Sequence, residues 1–273
     1  MTRQADEGLM NVQIASEPGR PDEENADFTA AAPGLLIVVD GTETPPDAET
    51  GCQHSVAWYA RHLGGLLLAA AANIGVGLGE ALAIGIERIN ALHAWTCDLS
   101  HPGSPSAAVA LARVDGERLE HLVLSDAVLV LDRPDQPPAV ITDDRLAKVI
   151  TNLNDPGPTA RRNRFEQLAP YRNQPGGFWV ASTKPEAAGE ALTGSTPLSD
   201  LDAVAMLSDG ATQLADRFNL MSWPELLAVL RKGGPAELIT RTREAEASDP
   251  TGTRWPRART SDDASAIWWT TAD

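Results

Sequence analysis

Apolar residues along this chain form short continuous runs in some places and helical patterns in others. The stretches "LLIVVDG" (residues 35–41) and "AVAMLSDG" (residues 203–210) each predict a buried strand that ends in Asp-Gly. Residues 53–72 and 78–95 carry apolar positions about 3.6 residues apart, which predicts two helices separated by "NIGVGLG". The chain therefore combines buried strands with neighbouring helices.

Further strands and helices are predicted along the rest of the chain. Residues 145–169 predict helix and loop, while residues 223–231 and 235–246 predict two more helices. Ser222 is the expected N-cap of the first of these two, with Pro224 just inside it. Strand patterns occur, in chain order, in "GLMNVQIAS", "SAAVALARV", "LEHLVLSDAVLVL", "PPAVITDD", "GGFWVAS" and "ASAIWWT". We interpret the second, third and fourth of these as a meander.

The order of these elements indicates the fold class. Strands, two helices, more strands, two helices and a final strand do not alternate as they would in a parallel α/β fold. We therefore expect an α+β fold in which antiparallel sheets are flanked by helix pairs. We also expect a single domain over residues 1–273, with a short disordered N-terminus at residues 1–8. Trp268 and Trp269 alternate across the last strand, so one should enter the core and the other should face outward or a helix.

Charge and composition exclude several classes of partner. The 273 residues include 38 acidic and 22 basic ones, and the resulting net charge of -16 would repel a phosphate backbone. No basic stripe offsets this charge, so we expect no nucleic-acid partner. The uncharged stretch at residues 62–79 contains Asn73 and five glycines, which favours a broken buried helix over a membrane span.

The cellular compartment is predicted from the N-terminus and the cysteines. The first residues, "MTRQADEGLMNVQ", lack the apolar core of a signal peptide, so we expect the protein to remain in the cytoplasm. Cys52 and Cys97 are too few for a disulfide framework, which agrees with a reducing compartment. We also expect a monomer that contacts neither membrane nor nucleic acid.

Four aspartates lie at predicted element boundaries and form the strongest candidate for chemistry. Asp40 and Asp209 end buried strands, Asp27 follows "EEN", and Asp262 precedes the last strand. Ionised carboxylates that meet at one edge repel each other unless a cation neutralises them. Oxygen ligands favour Mg²⁺ or Mn²⁺ over zinc, and a carbonyl at Gly41 could approach such an ion closely.

These segments resemble the type 2C metal-dependent serine/threonine phosphatases, in particular their bacterial-type members, from residue 12 to residue 269. "ENADF" is similar to the family's Asn-Glu-Asp segment, and "LLIVVDG" and "AVAMLSDG" are similar to its two strand–Asp–Gly motifs. "HLVLSDAVLVL" resembles its central strand pair with a Gly-Asp-Ser turn, and "SDDASAIWW" resembles its closing strand. The five fragments occur in the family's order and at its spacing.

The resemblance implies a four-layer α-β-β-α sandwich of two antiparallel sheets, with a two-metal centre of Mg²⁺ or Mn²⁺ at one end. By position, Asp40 would bridge both ions, the Gly41 carbonyl would bind one, and Asp209 and Asp262 would bind the other. Asp27 would orient the attacking water. Paired cations of this kind activate water and stabilise negative charge on a phosphoryl group.

Some positions depart from the family pattern. Thr42 stands where a histidine is common after Asp-Gly, so the usual group that protonates the leaving alkoxide is missing. Ala26 replaces the glutamate of Asn-Glu-Asp, and Ser125-Asp126-Ala127 replaces Gly-Asp-Ser. Because of these changes, an alternative hypothesis stays open: the protein is a catalytically weak or inactive scaffold that binds a partner.

Two assignments stay open at this point. The family's phosphate-binding arginine precedes the Asp27 position by a few residues, where this chain has Asp22, and Arg20 is the nearest substitute. Asp263 is an alternative ligand to Asp262, although the family register favours Asp262. The expected substrate is a phosphoserine or phosphothreonine protein, with a small phosphorylated metabolite as the alternative.

Other motifs carry weaker chemistry. Cys52-x-His54 and Cys97-x3-His101 resemble zinc ligand pairs, but their spacing is poor and we expect the thiols to be buried helix residues. "GVGLG" lacks the last glycine and the preceding strand of a dinucleotide loop, so we interpret it as a helix break. Arg161, Arg162 and Arg164 could attract a phosphorylated substrate, although a solvated helix face is the favoured interpretation.

Overall fold

The described residues form ten strands and six α-helices. The structure is a computed structural model and describes residues 11–42, 44–45, 48–153, 161–257 and 259–270, so the predicted disordered N-terminus at 1–8 lies outside the described residues. The strands are β1 (Asn11–Glu17), β2 (Phe28–Ala32), β3 (Leu35–Thr42), β4 (Ser106–Asp115), β5 (Arg118–Leu124), β6 (Val128–Asp132), β7 (Ala139–Ile141), β8 (Leu192–Pro197), β9 (Ala203–Leu207) and β10 (Ala264–Thr270). The helices are α1 (Val56–Ala71), α2 (Leu78–His93), α3 (Arg145–Asn152), α4 (Arg161–Leu168), α5 (Asp209–Asp216) and α6 (Trp223–Ser248).

The strands form two five-stranded antiparallel sheets. One sheet has the order β2-β3-β4-β5-β8, and the other has the order β1-β10-β9-β6-β7. In the first sheet Asp40 pairs with Ala108 of β4, and in the second Leu207 of β9 pairs with Ala266 of β10. Every pair of neighbouring strands is antiparallel.

Side chains alternate between three apolar layers, which is what a buried strand between two partners requires. On β3, Leu35, Ile37 and Val39 pack under α1 and α2, whereas Leu36 and Val38 face the other sheet. On the opposite side, β9 and β10 pack against α5 and α6. The molecule is therefore the predicted four-layer α-β-β-α sandwich, with helices outside and two sheets inside.

The closing strand shows the same alternation. Trp268 points into the layer under α5 and α6, while Trp269 enters the layer between the sheets, and both are buried. The sequence prediction that one tryptophan enters the core and the other faces a helix is confirmed.

Helix ends follow the expected signals. Ser55 caps α1 by accepting a hydrogen bond from the backbone N–H of Trp58, at 3.0 Å. Ser222 and Glu225 form a capping box at the start of α6, with Pro224 in the first turn. The two helices predicted after residue 222 meet at Gly234, where a φ of 74° interrupts the helical conformation of α6.

Several elements differ from the sequence prediction. The turn at residues 125–127 carries the chain from one sheet to the other, so the predicted meander is wrong: β4 and β5 pair in one sheet, and β6 and β7 pair in the other. The strand predicted at "GGFWVAS" is not formed. Phe178 and Ala181 each make only an isolated bridge. The polar strand β8, the short strand β2 and the helix α5 were not predicted, since none of them has a distinct periodicity. In the part of the chain that is described, no helix is long and apolar enough to cross a membrane.

Truncating Trp269 to alanine should lower the free energy of unfolding by about 3–5 kcal/mol, because it opens a cavity between the two sheets. Trp269→Phe should lower the free energy of unfolding much less. It keeps an aromatic ring in place and removes an indole N–H that has no hydrogen-bond partner among the described residues. Denaturant unfolding of both variants measures the difference. Equal losses would show that the layer between the sheets repacks freely.

Candidate active site

Aspartates from five separate segments meet at one rim of the sandwich. Asp40 lies in β3, Asp209 is the first residue of α5 directly after β9, and the backbone N–H of Asp209 donates to Asp40 Oδ2 at 2.9 Å. Asp27 precedes β2, Asp262 precedes β10, and Asp126 lies in the turn between the sheets. The ends of both sheets therefore deliver carboxylates to the same place.

Burial and mutual repulsion raise the pKa values of several carboxylates in this group. Burial raises the pKa of Asp40 well above its ordinary value, and the negative charges of Asp27, Asp209 and Asp126 raise it further. Burial likewise raises the pKa of Asp209, with added repulsion from Asp262 and Asp126. The pKa of Asp126 is also raised, chiefly by burial. The four predicted aspartates and Asp126 thus form one electrostatic group.

Asp27 is the most deeply buried member of this group, with 6% of its surface exposed. Burial raises its pKa to about 7, and the nearby carboxylates of Asp263 and Asp262 also raise it. The hydroxyls of Ser208 and Ser265 lower this pKa, yet neither Asp27 oxygen has a partner at hydrogen-bond geometry among the described residues. A buried carboxylate without partners is costly, so a cation or an ordered water is the expected neighbour.

The glycine of each Asp-Gly pair lets a neighbouring backbone approach. A Cβ on Gly41 would overlap the carbonyl oxygen of Ala26, and a Cβ on Gly210 would overlap the carbonyl oxygen of Asp263. Gly41 therefore brings the segment with Asp27 next to Asp40, and Gly210 brings the segment with Asp262 next to Asp209. This packing requires glycine at both positions. The sequence analysis had explained Gly41 only by the close approach of its carbonyl to an ion.

Asp262 and Asp263 have different tasks. Asp263 is buried, and its two oxygens accept hydrogen bonds from the backbone N–H groups of Gly19 and Ala26, both at 2.7 Å. Asp262 is half-buried and accepts a bond from Arg259 Nη1 at 3.3 Å. Asp263 fixes the loop before Asp27, which leaves Asp262 as the carboxylate that can bind a ligand at the rim.

Arg20, the predicted phosphate ligand, lies on the exposed part of this loop and forms an ion pair with Glu23. Arg259 is more deeply placed: burial lowers its pKa, Asp262 and Asp263 raise it, and Arg20 also acts on it as a neighbouring positive charge. Arg20 and Arg259 therefore lie close together beside Asp262, at the edge of the carboxylate group.

Three residues of the rim were missed by sequence reasoning. Asp126 was considered only as an altered turn residue, yet it interacts with both Asp40 and Asp209. Arg217 lies at the C-terminal end of α5 and acts on Asp209 and Asp126. Arg259 stands three residues before Asp262, a spacing that a search for basic residues beside candidate ligands could have found.

The donor set fits hard divalent cations. The carboxylates and the unpaired oxygens of Asp27 offer only oxygen, which is what Mg²⁺ and Mn²⁺ prefer. Among the described residues, no three of these carboxylates bring their oxygen atoms within 4.8 Å of one another. A different cluster of ligands in the chain does meet this distance. This wider spacing suits ions that keep several waters and bind through one or two carboxylates each.

Comparison with known proteins identifies the fold. No family model matches the chain, and no curated protein matches it. Among solved structures, the serine/threonine phosphatase PstP of Mycobacterium tuberculosis superposes with a TM-score of 0.60 at 16% identity, covering 97% of this chain and 99% of PstP. PppA of Pseudomonas aeruginosa superposes with a TM-score of 0.59 at 18% identity, covering 96% of this chain and 97% of PppA.

The chain has the fold of the PPM serine/threonine phosphatases. A further structure of PstP, with a TM-score of 0.59 at 16% identity, covers 97% of this chain and 99% of that one and contains two manganese ions. Stp1 of Staphylococcus aureus shares the fold as well, with a TM-score of 0.58 at 13% identity over 96% of this chain and 95% of Stp1. The similarity extends over the whole sandwich, including both sheets.

Replacing Asp27 by asparagine should stabilise the protein in the absence of divalent ions. An acid whose pKa is 3.8 when unfolded and about 7 when folded binds more protons in the folded state, so stability falls as pH rises between these values. In EDTA at about pH 8, Asp27→Asn should raise Tm by at least about 4 °C. The wild type should gain stability on acidification towards about pH 6, and the variant should gain less.

Asp115→Asn is the matched control for this measurement, because Asp115 is exposed at the opposite end of β4. It should leave both Tm and its pH dependence unchanged. A destabilised Asp27→Asn protein in EDTA would contradict the assignment of Asp27 as an unpaired, repelled carboxylate.

Gly210→Ala should lower the free energy of unfolding by about 1–3 kcal/mol, because the added methyl group collides with the Asp263 carbonyl. Gly79→Ala is the matched control, because Gly79 is the second residue of α2 just as Gly210 is the second residue of α5. A Cβ at position 79 has no atom closer than 3.8 Å. Thermal unfolding should show a loss for the first variant and none for the second. Tolerance of alanine at position 210 would mean that the two segments are less closely packed.

Proposed function

We propose that this protein is a Mg²⁺- or Mn²⁺-dependent phosphatase that hydrolyses phosphoserine and phosphothreonine monoesters. The observation that carries the proposal is the convergence of Asp27, Asp40, Asp126, Asp209 and Asp262 at one rim. The pKa values of the first four are raised there by burial and mutual repulsion, although Arg217 partly offsets this for Asp126 and Asp209. The shared fold with serine/threonine phosphatases supports the same conclusion.

The chain supplies ligands from both sheets. Asp40 and the carbonyl of Gly41 come from β3, while Asp209 and Asp262 come from the ends of β9 and β10. We assign these four residues to metal binding, with Asp126 as a further carboxylate beside them. When bound, the ions supply Lewis-acid activation of water and stabilise negative charge on the phosphoryl group.

Asp27 is suited to direct the attacking water. Its oxygens are buried and unpaired, so they are available to accept a hydrogen bond from a water molecule beside the phosphorus atom. Asp263 holds the backbone of this loop at Gly19 and Ala26, which fixes the direction of the Asp27 side chain. Asp27 thus positions the nucleophile, and its carboxylate can hold the proton that the water releases.

The phosphate group needs local positive charge, because the protein carries a net charge of -16. Arg259 and Arg20 provide it beside Asp262, and Arg20 would exchange its exposed partner Glu23 for a phosphate oxygen. An exposed ion pair contributes little to stability, so this exchange costs little. We assign Arg20 and Arg259 together to phosphate binding.

Leaving-group chemistry follows from Thr42. The side chain at this position has no group that donates a proton near neutral pH, so a serine alkoxide would take its proton from water. Substrates whose leaving group is already stable as an anion should therefore react fastest. The substrate class, a phosphorylated protein or a small phosphorylated metabolite, stays a prediction, as do the cytoplasmic location and the monomeric state.

Metal-dependent hydrolysis of p-nitrophenyl phosphate tests the proposal. Activity should appear with Mn²⁺, disappear with EDTA, and fall by at least about 100-fold in Asp209→Asn, because that variant removes one ligand charge from the rim. Phosphoserine peptides should be hydrolysed more slowly than p-nitrophenyl phosphate. Comparing these peptides with sugar and nucleotide phosphates separates protein from metabolite substrates.

Asp115→Asn should keep full activity, since this residue lies at the far end of the sheet. Calorimetry with Mn²⁺ separates slow catalysis from an inactive scaffold. Absence of both Mn²⁺ binding and turnover in folded protein would overturn the proposal and favour a partner-binding role.

A further inference from the structure

A second group of metal-type ligands lies outside the carboxylate rim. Cys52, His54, His93 and Cys97 each offer one donor atom, and the four donors all lie within 4.8 Å of one another. Cys52 and His54 belong to the segment between β3 and α1, whereas His93 ends α2 and Cys97 follows in the next turn. In the described part of the chain, this is the one group of three or more such ligands that converges this closely.

The local backbone explains the convergence. The N–H of Cys97 donates to the His93 carbonyl at 3.0 Å, so His93 and Cys97 are one helical turn apart on the same face. Cys52 and His54 are two residues apart in the segment before α1, and their side chains face each other, with Cys52 Sγ 3.5 Å from His54 Nδ1. A hydrogen bond from the Asp98 N–H to the Gly51 carbonyl, at 2.8 Å, holds the two segments together.

Sequence reasoning paired these thiols incorrectly. It considered His101 as the partner of Cys97 and expected both cysteines to be buried in helices. Both cysteines lie outside helices and are half-buried, and His93 replaces His101. His93 was overlooked because it falls on the apolar face of α2, where it is buried beside Ile89.

The sulfur–nitrogen distances match a tetrahedral zinc site. Cys52 Sγ lies 3.5 Å from His54 Nδ1 and 3.4 Å from His93 Nδ1, and Cys97 Sγ lies 3.3 Å from His54 Nδ1. Zinc–sulfur bonds of about 2.3 Å and zinc–nitrogen bonds of about 2.0–2.1 Å give tetrahedron edges of about 3.5 Å. The two sulfurs are 2.9 Å apart and would separate to about 3.8 Å around the ion.

We propose that Cys52, His54, His93 and Cys97 bind one structural zinc ion. Two thiolates and two imidazoles are a ligand set that favours zinc in tetrahedral geometry, and four protein ligands leave no open position for a substrate. Binding converts both thiols to thiolates and releases their protons. The site is independent of the proposed phosphatase chemistry, which uses oxygen ligands at the rim.

The position of the site indicates what the zinc would stabilise. Trp58 stacks on His54 with ring centroids 4.0 Å apart and also contacts His93, so the site lies against the first turn of α1. At the same end of α1, the N-cap Ser55 donates to Glu24 at 3.1 Å and Arg61 of the second turn forms an ion pair with Glu24, which lies three residues before Asp27. The zinc would therefore fasten α1 to α2 and support the loop that carries Asp27.

Metal analysis of the full chain, purified without a metal-affinity step, tests the site. The wild type should contain about one zinc per chain, and Cys97→Ser should contain less than about a tenth of that. His62→Ala is the matched control, because His62 stacks on Trp58 at 4.2 Å without joining the ligands, and it should keep the zinc. Asp209→Asn should also keep it, which separates this site from the rim.

Cobalt substitution identifies the ligands without any variant. Wild-type protein loaded with Co²⁺ should show a thiolate-to-cobalt charge-transfer band, which oxygen ligands at the rim cannot produce. Thiol titration in denaturant with chelator and without reductant should count two thiols. A zinc-free protein without the charge-transfer band would overturn the proposal, and so would a count of no thiols, which would indicate a disulfide.

Discussion

Mutual repulsion among carboxylates at the rim is the constraint on which the rest of the molecule depends. The backbone N–H of Asp209 donates a hydrogen bond to the Asp40 side chain, and the negative charge of Asp209 adds to the burial that raises the pKa of Asp40. A core would not gather such groups for stability, because buried charges without partners are costly. The apolar layers of the sandwich supply the stability that allows this arrangement to exist.

The sheets and the rim were predictable from sequence to different degrees. Buried strands such as β3 and β9 are continuous apolar runs, so they could be located with their terminal aspartates. Strand β8, "LTGSTP", has no such run and is a strand because β5 offers it an edge, which is a tertiary effect. The turn at Ser125, with a φ of 65°, connects two sheets although its sequence resembles that of a hairpin.

Sequence reasoning located the candidate ligands better than it located their neighbours. Aspartates at strand ends are visible one by one, whereas the contribution of Asp126, Arg217 and Arg259 depends on how separate segments approach in space. The same limit applies to the cysteines. Helical spacing links His93 to Cys97, but only the folded loop shows that Cys52 and His54 face them.

The origin of the rim residues has a mechanical consequence. Asp40 belongs to one sheet, while Asp209 and Asp262 adjoin strands of the other, and the two sheets face each other through a layer of packed apolar side chains. Ions shared by these carboxylates would act as a clamp across the sandwich and resist sliding of one sheet past the other. Ion binding at the rim would then reduce motion throughout both sheets, including regions far from the ions.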